Sequence, residues 1–521
     1  MSPIYRLQPA WWIIFALAGL LASVANSLGQ GLAGSRPNIV LVMSDDQGYA
    51  PIGRLGHPWI RTPNLDAMYD ASVRLSRFFV SPVCAPTRAA LMTGRDPLKN
   101  GVTHTILERE RLTLAAVTLP QVLKTAGYAT GIFGKWHLGD EAPYQPERRG
   151  FDEVFIHGGG GIGQYYTHCS SADAPVNKGN PDDYSTRGYT NPVIRHNGTF
   201  VQTRGYCTDV FFTAALGWIK ERADGREPFF AYIATNAPHI PFLAPAKNAR
   251  RFKDLGFPDK VYGGGAAGFY GMIENLDENM GRLLATLERW GLSENTVVIF
   301  MSDNGMSGSV GEKTPDVPLG HMRDGTPLFH DNAGMKGRKS SVDEGGVRVP
   351  FFVRWSGKLA PGRDIDRIAG HIDILPTFAA LAGAKLPPNQ VEGRNLLPLL
   401  EYPHAEWPDR YLFNHQSWRC KPGQNMDDFK WQGFSVRNQR FRLVGKALFD
   451  MQTDPGQTTD VAVAHPDVVK AMRTAWDKFW QEARPLLVNE NAPLSTTQPY
   501  GEWYREQAKT RGVPKWQAPA L

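Results

Sequence analysis

The chain has 521 residues, 42% of them apolar, enough to bury one large core and a smaller second one. Its net charge is +6, from 57 Lys and Arg against 51 Asp and Glu, with no long basic run. That excludes a nucleic-acid partner argued from charge, gives no reason to expect a stable membrane partner, and is only compatible with anionic substrates.

Residues 1–25 read as an export signal. Arg6 supplies the positive start, Trp11 to Leu21 the short apolar stretch, and Ser23-Val24-Ala25 the small residues for cleavage after about Ala25. An uncleaved N-terminal anchor is the alternative. Both place the body outside the cytoplasm, periplasmic or secreted.

Short apolar runs at Asn38–Met43, Thr130–Phe133, Phe229–Ala234, Thr296–Met301 and Val349–Val353 read as buried strands. Helix signals alternate with them: Pro120 to Gly127, Thr208–Arg222, Phe269–Trp290 and Asp373–Leu381. Alternation of this kind predicts an α/β fold, a mostly parallel sheet sandwiched by helices. Past Pro387-Pro388 the texture changes to short strands (Arg410–Phe413, Gly433–Val436, Phe441–Val444) and a helix over Pro466–Ala483. The expected layout is a catalytic α/β domain over 37–385, a C-terminal α+β subdomain over 386–485, and a surface tail over 486–521.

What ends each strand matters more. Asp45-Asp46, Gly134-Lys135-Trp136-His137, Asn236-Ala237-Pro238-His239 and Asp303-Asn304 each follow a predicted strand, and open α/β sheets bind ligands beyond the carboxyl ends of their strands. One acidic pair alone would be a helix cap or a solvated turn. Two such pairs ending two buried strands would repel one another, and a hard cation such as Ca²⁺ or Mg²⁺, taken by oxygen donors, resolves the clash. Lys135 and His137, two apart, would share a face of extended chain and donate to an anion. In KGRKSSVDEGGVRVP, Gly345-Gly346 marks a turn before a strand, and Arg348 reads as a structural ion-pair residue outside the site. HGGGGIGQ (157–164) lacks the Lys-Ser/Thr of a phosphate loop and reads as a flexible rim.

The four cysteines are Cys84, Cys169, Cys207 and Cys420. Whether Cys169 pairs with Cys207 is left to geometry. Cys84, in PVCAPTRAALMTG, has Pro86 opening a helix and Arg88 one turn on, a setting that lowers a thiol's pKa. It is not the phosphate loop of cysteine-dependent phosphatases, whose arginine comes six positions after the cysteine; here that residue is Ala90.

Cys84-Ala85-Pro86-Thr87-Arg88 has the Cys-x-Pro-x-Arg form, followed by AALMTGR and GKWHLG. With NIVLVMSDDQG, ATNAPHIP, MSDNG, GRKSSVDEGGVRVPF and ALFDMQTDPGQTTDVA, it resembles the formylglycine-dependent sulfatases of the alkaline phosphatase superfamily, in consistent order over residues 37 to 485. The resemblance implies an alkaline phosphatase-like sheet and a Cα-formylglycine made from Cys84 by a formylglycine-generating maturation enzyme. It also implies one Ca²⁺ held by Asp45, Asp46, Asp303, Asn304 and modified Cys84. Arg88 would steady the modified residue, Lys135 and Lys339 would bind sulfate oxygens, His137 would contact the formylglycine hydrate, and His239 would protonate the leaving group. The hydrate would attack sulfur and later expel sulfate through its second hydroxyl.

The implied function is a sulfuric ester hydrolase acting on an alcohol, aryl or carbohydrate sulfate. A phosphomonoester or phosphonate ester hydrolase of the same superfamily, and a silent binder of sulfated glycans, are the alternatives. Thr87 stands where serine is commonest in the family, and Arg338 and Ser340 stand where glycine is frequent, departures that bear on substrate shape. Tyr165, Tyr166, Arg323, His330, Trp418 and Arg419 lie in loops expected to shape the pocket.

Overall fold

The computed structural model describes residues 31–105, 110–162, 189–223, 225, 227–255, 265–307, 320–321, 327–328, 332–402, 404–416, 424–487 and 499–521. Apolar, β-branched runs make its centre, a ten-stranded sheet of β1 (Asn38–Ser44), β2 (Val73–Leu75), β3 (Ala129–Lys135), β4 (Glu153–His157), β5 (Val193–His196), β6 (Thr199–Gln202), β7 (Phe229–Ala234), β8 (Thr296–Ser302), β9 (Phe351–Arg354) and β10 (Arg363–Ile365). The order is β10-β2-β9-β8-β1-β7-β3-β4-β5-β6. The central strands β8, β1, β7, β3 and β4 are parallel; β9 and β5 run antiparallel at the two shoulders.

Both faces of the sheet are covered, as continuous apolar strands require. Ile39, Leu41 and Met43 point into one core with α1 (Cys84–Thr93), α2 (Leu119–Lys124) and α5 (Ile374–Ala382). Val40 and Val42 point into the other with α3 (Cys207–Ala223) and α4 (Gly265–Arg289). Truncating Ile39, Leu41 or Met43 to alanine costs about 2–5 kcal/mol. The register pairs Ser44 with Ser302, so Asp45-Asp46 and Asp303-Asn304 leave the sheet side by side. The expected strand Val349–Val353 is broken at Pro350: Val349 pairs with Phe78 in a small separate sheet, and only Phe351 onward joins β8. Proline has no N–H to give the ladder.

The C-terminal unit is an antiparallel meander, β11 (Leu412–His415), β12 (Phe434–Arg437), β13 (Phe441–Val444) and β14 (Ala447–Asp450). Helix α6 (Pro466–Ala483) packs Met472, Trp476, Phe479 and Trp480 on Val436, Leu443 and Leu448. Glu344 ties this unit to the main body: its Oε2 accepts from Arg437 Nη1 and Arg442 Nη1, each at 2.9 Å, and all three side chains are buried.

The last residues, expected as a surface tail, are instead built into the edge of the sheet. In α7 (Pro499–Thr510) Tyr500 is fully buried in the main core and its hydroxyl donates to Gln145 Oε1 at 2.8 Å. Gln507 brackets the Phe200 backbone with two 2.8 Å hydrogen bonds. Trp516 lies 5.0 Å from the Phe155 ring, and Lys220 Nζ donates to the Ala520 carbonyl at 2.8 Å. A few aromatic anchors in a polar, proline-spotted stretch suffice for this.

Among the described residues Cys84 and Cys207 are buried and free. Cys169, Cys420, the export segment and the six loop residues expected around the pocket lie outside the described residues. Among the described residues no helix is long and apolar enough to cross a membrane.

Candidate active site

Each chemically active side chain sits just past a strand or at the start of a helix. Cys84 is the first residue of α1, with Val83 extended before it, and is 1% exposed. Arg88, one turn on, donates through Nη2 to Asp303 Oδ2 at 2.7 Å. Lys135, the last residue of β3, donates to Asp45 Oδ2 at 2.8 Å. Gly134 makes that placement possible, since at φ +117° an added Cβ would meet the Ala234 carbonyl oxygen at 2.0 Å. Lys339 Nζ donates to Asp46 Oδ2 at 2.6 Å, Asn304 Nδ2 donates to Asp46 Oδ1 at 2.8 Å, and the Asp46 amide donates to Asp303 Oδ1 at 2.9 Å. His239 Nε2 lies 3.7 Å from Asp46 Oδ2.

Asp45, Cys84 and Asp303 bring one ligand atom each within 4.8 Å of one another, and Asp45, Asp46 and His239 do the same. The geometry therefore gathers Asp45, Asp46, Cys84, Arg88, Lys135, His239, Asp303, Asn304 and Lys339 around one point. His137 enters through Glu110, whose Oε2 is 2.9 Å from its Nε2. Asp46 and His137 take φ of +68° and +59°, strain of the kind that clusters at functional sites. Ser340, where the family often has glycine, has φ +72°, and its amide donates to the Pro82 carbonyl at 2.8 Å. Arg348 stays outside: its Nε donates to the Ser76 carbonyl at 2.9 Å and its guanidinium lies over the Tyr49 ring.

Charge explains the rest. Burial and the neighbouring Asp303 push the Asp45 carboxyl well above the usual carboxylate range. Asp46 resists burial because Lys339, His239 and Lys135 hold it low, and Asp303 is held low against burial by Arg88 and Lys135. Burial, then Lys339, push His239 down to about 3. Its Nδ1 is 2.6 Å from the Ile240 carbonyl and so carries the proton, leaving the Nε2 lone pair facing Asp46 and Lys339.

A hard divalent cation fits this donor set. Asp45 Oδ1 and Asn304 Oδ1 are buried and accept no hydrogen bond, a costly arrangement for two oxygens. They stand beside the carboxylates of Asp46 and Asp303, so oxygen donors dominate, as Ca²⁺ and Mg²⁺ prefer.

Glu110 is the site residue that sequence reasoning missed. It sits in the run Glu108-Arg109-Glu110-Arg111, which reads as a solvated face. The only signal was extended-chain alternation, which sends Glu110 to His137 and Arg111 to Glu141.

Comparison with known proteins bears on this arrangement. A family model described as "Sulfatase" matches residues 37–384, and one described as "N-sulphoglucosamine sulphohydrolase, C-terminal" matches residues 338–482. N-acetylgalactosamine-6-sulfatase of Mus musculus is 32% identical over 515 residues, 90% of each chain. Arylsulfatase A of Homo sapiens is 31% identical over 505 residues, 87% of this chain and 90% of the relative. Among solved structures, Ps i-CgsB in complex with k-i-k-neocarrahexaose is 28% identical, with a TM-score of 0.70 over 91% of this chain and 98% of that one. With most of the chain matched in sequence and the same architecture recovered in space, this protein belongs to the sulfatase family and is a sulfuric ester hydrolase.

Proposed function

We propose that this sulfatase removes sulfate from a sulfated carbohydrate, using a Cα-formylglycine made from Cys84 by a maturation enzyme and one Ca²⁺ held by Asp45, Asp46, Asp303, Asn304 and the modified residue. The carrying observation is the set of buried acids and cations gathered at Cys84, with Asp45 Oδ1 and Asn304 Oδ1 left without hydrogen bonds. When present, the ion and the formylglycine hydrate supply a Lewis acid and an oxygen nucleophile with a second hydroxyl for expelling sulfate.

The chain's own residues do the remainder. Lys135 and Lys339 present ammonium groups to the sulfuryl oxygens, where charge builds in the transition state. Arg88 fixes Asp303 and keeps a positive charge beside residue 84. His239 keeps its Nδ1 proton on the Ile240 carbonyl, so Nε2 is the nitrogen that faces the departing alcohol, and it serves as the general acid only after taking up a proton of its own as substrate enters. Burial of Arg88, Lys135 and His239 excludes bulk water and strengthens their interactions, while Lys339 stays partly open.

Two findings favour a carbohydrate substrate: relatives named as N-acetylgalactosamine-6-sulfatases, and the neighbour solved with a neocarrahexaose. Export is supported by the charged, apolar and small-residue order of residues 1–25, and N-terminal sequencing of the mature protein checks it.

Intact-mass analysis of the peptide carrying Cys84, after co-expression with a formylglycine-generating enzyme, tests the nucleophile: an aldehyde supports the reading and a free thiol sinks it. Turnover of an aryl sulfate against an aryl phosphate, then a panel of sulfated oligosaccharides, tests the substrate. Faster turnover of the phosphate would replace the proposal by a phosphoester hydrolase.

A further inference from the structure

Glu110 is 1% exposed, and among the described residues neither of its carboxylate oxygens has a hydrogen-bond partner. Among the described residues its ion contact is with His137, whose Nε2 lies 2.9 Å from Oε2. The same Nε2 is 3.2 Å from the Thr105 carbonyl oxygen. Both neighbours are acceptors only, so Nε2 carries the ring proton. That leaves His137 Nδ1, which is buried and has no hydrogen-bond partner. Glu110 is also near enough to Cys84 for the thiol's charge to act on it.

A buried carboxylate without hydrogen bonds is expensive unless it serves a charge beside it. Here the neighbour is a fully buried imidazole two residues past Lys135. Carboxylates set behind an imidazole fix its tautomer and ring orientation and stabilise its charged form.

We propose that Glu110 is a positioning residue for the sulfatase reaction: its carboxylate, beside the Thr105 carbonyl that accepts the His137 Nε2–H, favours the proton on Nε2 and so leaves Nδ1 as the nitrogen open to residue 84. The inference rests on the active-site reading above. In that arrangement Nδ1 would accept a hydrogen bond from a hydroxyl carried by the modified residue 84, with the imidazole remaining neutral.

The test compares the parent, Glu110→Gln, Glu110→Asp, His137→Ala and the double variant E110Q/H137A, each assayed for aldehyde content and bound metal. For E110Q the expected result is a loss in kcat of about ten- to a hundredfold with KM little changed. E110D should recover part of the loss, and the double variant should be no slower than His137→Ala alone. E110Q within twofold of the parent, or losses that multiply independently, would overturn the proposal. Nitrogen-15 spectra of the histidine ring give a readout that needs no turnover. The parent should show a protonated Nε2 and a bare Nδ1, and E110Q a mixture of tautomers; an unchanged E110Q spectrum also overturns the role. A parent that carries the aldehyde and yet cleaves no sulfate ester would refute the functional reading while leaving this spectroscopic outcome to be decided by itself.

Discussion

Arg88 Nη2 donates to Asp303 Oδ2 across 2.7 Å, and neither side chain is open to water. Burial lowers an arginine's pKa, yet the charges around Arg88, those of Tyr232, Asp303 and Asp45, raise it further. Removing the guanidinium leaves buried carboxylates uncompensated. Arg88→Ala is expected to lose about 3–5 kcal/mol of stability, read from denaturant unfolding, along with activity. Arg88→Lys, which keeps the charge but not the fork, should fall between. A parent-like unfolding midpoint for Arg88→Ala would show that Asp303 is compensated in another way.

The raised Asp45 carboxyl predicts how the site answers a cation. Adding Ca²⁺ should raise the thermal midpoint, by the equivalent of about 2.7 kcal/mol at a hundredfold excess over Kd, and chelation should abolish turnover. Asp303→Ala should remove the response. A midpoint indifferent to Ca²⁺ and sensitive to Mg²⁺ would reassign the ion, and indifference to both would remove it from the proposal.

His239 carries a prediction about leaving groups. A general acid matters most when the departing alcohol is a poor one, and contributes about 10²–10⁴-fold. His239→Ala should therefore cost far more with a sugar sulfate than with nitrophenyl sulfate. Equal losses on the two substrates would assign His239 to binding instead.

The Glu344 junction makes stability depend on pH. Burial alone would raise its carboxyl above the ordinary 4.5, but Arg437, Arg442 and Arg348 hold it below. A carboxyl depressed in the folded state stabilises above the unfolded value, and that stabilisation is lost as pH falls through the folded one. Glu344→Gln should be less stable than the parent at neutral pH by about 3–5 kcal/mol, because two buried arginines lose their partner. The gap should narrow below about pH 4.5. Unfolding midpoints of both proteins across that range check the sign: a gap that widens on acidification contradicts it.

Much of this architecture was legible in the sequence because buried parallel strands write themselves as unbroken apolar runs. Phe229–Ala234 has the predicted limits, and Asn38–Ser44 and Thr296–Ser302 differ by one residue. The candidate site was legible for the same reason: acids ending such runs have nowhere to go but a shared crevice. What escaped were features set by contacts distant in sequence. Glu110 lies in a run of alternating charges with nothing in the sequence to mark His137 as its neighbour, and Glu344, Arg437 and Arg442 are charges on three separate elements that meet only when the two units dock. The break at Pro350 was written in the sequence, but the apolar residues around it concealed which neighbour each half would choose. The closing segment was hidden by its composition, since Tyr500 and Trp516 anchor it from within a polar stretch.

The burial of Cys84 sets an order of events for the formylglycine reading. All ten residues of α1 are buried. The αL turn at Gly94 that ends the helix packs against Leu375 and Val391, and Ser340 holds the Pro82 carbonyl. These covers come from parts of the chain made long after residue 84. An oxidising enzyme that must grip Pro86 and Arg88 can do so only while those later segments are unmade or unplaced. On that reading the nascent chain would have a limited time in which to be converted, and a molecule that folded first would keep its thiol.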